Sequence, residues 1–132
     1  MKNGILIPKA IYDKLSKNST ITKIIGSSLY PIIAPDEVPY PYIVYSRTGI
    51  APDYDKDGSL EDIVSVTVIA VSNDYMQSIT LANEIRNTLE LSTYNSTDVV
   101  YNRCEFTGIT ESYDDSRGGF IQTLTFEFSI TK

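Results

Sequence analysis

Between residues 61 and 72 the chain reads EDIVSVTVIAVS, and apolar side chains fill both registers of the alternation. Val64, Val66, Val68 and Ala70 share one face, while Ile63, Ile69 and Val71 share the other with Ser65 and Thr67. A strand that is apolar on both sides is predicted at the centre of a sheet. The last strand alternates more strictly. Phe120, Leu124, Phe126, Phe128 and Ile130 point one way, with Gln122 as the exception, and Thr123, Thr125, Glu127 and Ser129 point the other. Residues 99–109 supply a further strand, and the turn-rich TESYDDSRGG joins it to the last one as a long hairpin. Two short strands, 29–33 and 42–47, precede the central one and are separated by prolines.

Helical spacing occupies the rest. From Pro8, Ile11 and Leu15 lie four apart on one helix face, and the Lys17-Asn18-Ser19 stretch interrupts the helix. A second short turn carries Ile21, Ile24 and Ile25, with Ser19 or Thr20 as its expected cap and Gly26 as its stop. The strongest helix lies in SNDYMQSITLANEIRNTLEL, residues 72–91. There Met76, Ile79, Ala82, Ile85 and Leu89 make an apolar stripe, and Asp74 with Gln77 has capping spacing. The sum is one α+β domain spanning residues 1–132. A single mostly antiparallel or mixed sheet of about five strands carries the long helix and the short N-terminal helical segment on one face.

Composition then narrows the chemistry. The 132 residues include no histidine and one cysteine, which excludes His-based triads, imidazole ligands, an intrachain disulfide and a thiolate metal cluster. Cys104 alternates with apolar neighbours in VVYNRCEFTGI and reads as a small buried hydrophobe, with nothing nearby to activate a thiolate. The net charge of −6 and scattered basic residues argue against nucleic-acid binding. No apolar run is long enough to span a bilayer. No cofactor and no catalytic residue is expected.

One segment imitates a metal site. Asp53, Asp55 and Asp57 followed by Gly58 match the first half of a calcium loop. The twelfth position, which should supply a bidentate Glu, is Val64, and Pro52 stands where a helix should end. A solvated acidic turn joining two strands is the expected structure, and a weak calcium-binding module through the 53–64 loop, with Asp53, Asp55 and Asp57 as ligands, is the alternative. Asp114 and Asp115 form a second acidic pair, expected at a polar loop tip.

Four of the six prolines fall within SLYPIIAPDEVPYPYIVYSR, residues 28–47. Proline donates no ladder hydrogen bond, so two uses are open: protecting a sheet edge, or stiffening a crossover that presents tyrosines to a neighbouring subunit. The order of the residues here carries a resemblance. Gly26, Tyr30, Pro31, Ala34, Pro35, Pro41, Tyr42, Val44 and Tyr45 occur in the sequence of the tail-completion, or tail-terminator, proteins of long-tailed bacteriophages and prophages. The Val64-x-Val66-x-Val68 strand, the helix ITLANEIRNTLE, the turn YDDSRGG and the closing LTFEFSI agree as well, so the resemblance runs from about Ile11 to the C-terminus. An Arg common before the Tyr-Pro of that family is Leu29 here.

The resemblance implies a structural virion protein that forms a ring, often hexameric, at the head-proximal end of the tail, where it stops tube polymerisation and joins tail to head; a neck, head-completion or minor tail protein of the same assembly is the alternative. Its implied partners are further copies of itself, the tail tube protein and the head–tail connector or neck proteins. Ring closure needs two different patches on each subunit. The crossover at 35–46, with Pro35, Tyr40, Tyr42 and Tyr45, is expected to supply one. The loops at 51–62, with Tyr54, and at 111–118, with Tyr113, Asp114 and Arg117, are expected to supply the rest.

Overall fold

The computed structural model describes residues 3–55 and 58–131. A 3-10 turn at Gly4–Leu6 leads into α1 (Ile7–Ser16) and α2 (Ser19–Ile25). Strands β1 (Leu29–Pro31), β2 (Tyr42–Asp55) and β3 (Gly58–Ser72) follow, then α3 (Tyr75–Leu89). The chain closes with β4 (Tyr94–Asn95), β5 (Val100–Tyr101), β6 (Arg103–Asp114) and β7 (Gly119–Thr131). The main sheet has the order β1-β2-β3-β7-β6; β1 pairs parallel to β2 and every other neighbour is antiparallel. The expected α+β class and five-stranded sheet are therefore observed, with β3 at the centre.

The alternation of β3 dictates the packing. Val64, Val66, Val68 and Ala70 are fully or almost fully buried, and they pair with Phe128, Phe126, Leu124 and Gln122 of β7. Those residues join Ile7, Ile11 and Leu15 of α1, Ile21 of α2 and Leu81, Ile85 and Leu89 of α3 in one core. Helix α1 tolerates Pro8 because the first helical turn needs no N–H donor there.

The interruption at 17–19 is present, but the cap of α2 is Asn18, one residue before the expected Ser19 or Thr20. Its Oδ1 accepts from Ile21 N at 3.0 Å while its amide donates to Thr88 Oγ1 of α3 at 2.7 Å. Asparagine does both jobs at once, which neither hydroxyl residue can do at that reach. Gly26, at φ 63°, ends the helix as expected.

Three elements depart from the alternation and spacing read above. Helix α3 is capped by Asp74, but it is rotated so that Ser78 enters the buried face and Met76 and Ile79 stay 66% and 36% exposed. Leu81, outside the expected stripe, is fully buried with Ala82, Ile85 and Leu89, and its burial turns Ser78 inward. Gln122 of β7 occupies a core-facing position, and its amide donates to Ser78 Oγ at 3.3 Å and to Glu111 Oε2 of β6 at 3.0 Å. A buried amide must find partners, and Ser78 is the one that α3 supplies. The polar loop after α3 contains the small β4–β5 ladder, where Tyr94 stacks on Tyr101 and its hydroxyl donates to Asp13 of α1 at 2.9 Å.

Strand β2 continues eight residues past the expected Arg47 and forms a long hairpin with β3. A register shift between Arg47 and Gly49 leaves Thr48 as the extra residue of a bulge, and the strand accommodates Pro52 because, among the described residues, β1 pairs only with Ile43, Val44 and Tyr45 near its start. Past Tyr45 the strand is paired on its β3 side alone, the edge setting in which proline is tolerated.

Burial pushes the Cys104 thiol up to about 12 from its ordinary 9.0, and burial likewise raises the Tyr101 hydroxyl to about 12 from 10.0, against an opposing hydrogen bond from Ser92. Both groups stay neutral when folded and ionise sooner in the unfolded chain. Stability is thus retained below about pH 9 and lost as pH rises from there toward 12. The urea midpoint should hold between pH 7 and 8.5 and fall by pH 11, and the Cys104 thiol should react with a disulfide reagent only on unfolding. A constant midpoint or fast labelling of the native protein would contradict this placement.

Candidate functional site

The crossover lies over one end of the second face of β3, at Ile69 and Val71. Residues 32–41 leave β1 and return to start β2 alongside it, and on the way Val38 packs down to 7% exposure. Beneath lie Tyr42, Val44, Ile69, Val71 and Ile121, which alternate with the helix-covered residues and therefore face the other way. The proline-bearing stretch thus forms both a short edge strand and a shaped cover.

The turn between β6 and β7 clamps that cover. Arg117 donates from its guanidinium to Val38 O at 3.3 Å, and Tyr40 Oη donates to Arg117 O at 3.2 Å. The guanidinium lies 5.7 Å from the centre of the Tyr40 ring, which stacks in turn on Tyr42 at 5.9 Å and 9° between planes. Burial raises the Tyr42 hydroxyl above its ordinary range. Such proximity needs glycine at 119, where a Cβ would stand 2.7 Å from Tyr40 Oη. Asp114 shapes the turn itself by accepting from Ser116 Oγ at 2.7 Å and Ser116 N at 3.0 Å, and this holds its carboxyl below the usual range.

The anticipated residues therefore divide. Pro35, Tyr40, Tyr42, Asp114 and Arg117 converge around the crossover, whereas Tyr113 pairs with Phe120 on the helix side of the sheet, half exposed, with the two rings 4.9 Å apart and Tyr75 of α3 alongside. Tyr45 does not join them. It is three residues from Tyr42, so the pleat sends it to the opposite face, where it is 7% exposed beside Tyr12 of α1. Tyr54 is 67% exposed on the β2–β3 hairpin, roughly 40 Å along β2 from Tyr42 at about 3.3 Å per residue.

Asp53 lies on that hairpin in extended, ladder-paired backbone, where a wrapped loop would be needed to enclose a cation. Asp55 ends β2, and Asp57 lies outside the described residues. Among the described residues no three acidic or cysteine side chains come together as a metal site.

Two residues were not anticipated. Ile32 and Ile33, expected inside a strand, are 79% and 76% exposed. The strand stops at Pro31 because Ile32 adopts φ 67° and Ile33 N donates back to Pro31 O at 2.7 Å, a tight turn about a β-branched residue. Only the prolines at 31 and 35 hinted at a break there.

The site is an apolar and aromatic relief held by the Tyr40–Arg117 contacts on a small α+β scaffold. The family model of tail completion protein gp17 matches residues 9–131, and the chain belongs to that family. It is a structural protein of the phage-type virion tail. A chain in the solved structure "Virion of native gene transfer agent (GTA) particle" has the same fold, with a TM-score of 0.80 at 12% identity and 92% of each chain covered. Comparison with the curated proteins finds no match.

The backbone of Ile32 generates a stability prediction. A β-branched residue held at positive φ costs about 1–2 kcal/mol, and the side chain recovers little because it is exposed. Ile32→Asn should therefore raise the unfolding free energy by about 1 kcal/mol in urea titration. A loss of stability would show that the isoleucine contributes to the monomer fold.

Proposed function

We propose that this protein closes into a ring at the head-proximal end of the tail tube, hexameric on the tail. There it ends tube polymerisation and offers the surface to which the head–tail connector or neck proteins join. Its partners are further copies of itself and the tail tube protein, and it catalyses no reaction. The observation that carries this reading is membership of the tail completion family over nearly the whole chain. Two features of the molecule support it. The clamped crossover and the β2–β3 hairpin lie at opposite ends of the long strands, so each subunit offers unlike surfaces, as a closed head-to-tail ring requires. The crossover is also fixed in the free subunit by the Tyr40–Arg117 contacts, which lowers the entropy lost when a neighbour docks.

Electron microscopy of particles made without the protein tests the terminating role. Overlong tails are the expected result. Tails of normal length lying free of heads would instead assign it to the neck, and normal joined particles would contradict both.

A further inference from the structure

The two edges of the sheet carry unlike apolar features. Beside β1, Ile32 and Ile33 project from the tight turn at 79% and 76% exposure, forming a knob with no burial of its own to justify it. Beside β6, at the other edge and roughly 19 Å away across four strand spacings, α3 and the sheet leave a recess. It is lined by Ile79, Ala82, Phe106, Ile109 and Leu124, with Arg86 above the Phe106 ring at 4.2 Å. With Ser78 and Leu81 on the buried face of α3, Ile79 stays at the rim, 36% exposed, near Ile109 at 48%.

The charges match as well. Asp36 and Glu37 are exposed in the crossover just after the knob, and Asp36 lines the same groove as Ile32 and Ile33. The recess is bordered by Arg86, whose side chain remains 49% exposed while bonded to Glu90.

We propose that the occupant of the recess is the Ile32–Ile33 knob of a second copy of this chain. The contact rests on the ring reading above and specifies its subunit interface. A two-fold pair needs knob and recess on one self-complementary patch, and here they lie at opposite edges of the sheet. They propagate head to tail, and a constant rotation closes them into a ring. The backbone at Ile32 fits this role: a strained turn holds two isoleucines out of the monomer core and in position for a neighbour. Asp36 and Glu37 then approach the neighbour's Arg86 at the rim of an apolar contact.

Cysteine pairing tests the contact in the full chain on purified tail tubes. Ile33→Cys and Ile109→Cys, combined in one chain, should oxidise to a ladder ending at the closed ring. The two single variants should cross-link only when mixed with each other. Cys104 is fully buried and adds no bridge. As a second variant, Ile33→Asp should abolish ring assembly with its melting temperature within about 2 °C of the parent, since the site is exposed.

If the unmodified protein forms rings while the double variant gives no ladder, the contact is wrong and the ring reading stands. Homodimers of either single variant would mean a two-fold contact and overturn the proposal. So would a mixed disulfide between Ile33→Cys and a tube subunit bearing an introduced cysteine, in place of the ladder. If the unmodified protein forms no ring on tubes, the contact and the ring reading fall together.

Discussion

Strand β3 needs cover on both faces, and that requirement organises the molecule. Its even-numbered residues are closed off by the three helices and by their partners on β2 and β7. Ile69 and Val71 on the other face would meet water if the sheet were a simple two-layer structure. The crossover between β1 and β2 supplies the third layer over that end, with Val38 packed inward and Val44 buried below. Exposed apolar strand surface is costly, and a loop of ten residues is a small cover. Four prolines in this region and the Arg117 clamp limit the conformations it must give up.

That view resolves why prolines gather where strand residues are expected. Edge protection and a stiff crossover are both present, on successive parts of the same stretch. Pro31 ends a three-residue edge strand, while Pro35, Pro39 and Pro41 lie in the segment that follows. The unlike sheet edges and unlike strand ends are consequences of the same topology.

The sheet was legible from the chain because its signals are local and strong. The two-sided apolar run of β3 placed it centrally, and the alternation in β7 identified its core residues down to the Gln122 exception. The length of β2 was hidden because Gly49, Pro52 and two aspartates normally punctuate chains, and only pairing with β3 overrides them. The helix stripe holds at Ala82, Ile85 and Leu89, but Ser78 and Leu81 take the buried positions expected of Met76 and Ile79, and the partner that lets Ser78 be buried, Gln122, sits on a strand far along the chain.

At the candidate surface, residue type pointed to the tyrosines, but the pleat separates Tyr45 from Tyr42, and register was not fixed by composition. The exposed isoleucines were missed outright. Apolar residues after a strand read as its continuation unless the backbone turn is seen.

The central claim is that this chain acts by shape and contact at one end of a tail tube. The most direct measurement is to add purified protein to purified tail tubes and image them after negative staining. Density at one tip only, together with arrested growth when fresh tube subunits are supplied, is the predicted result. Bare tubes that continue to lengthen at both tips in excess protein would contradict it.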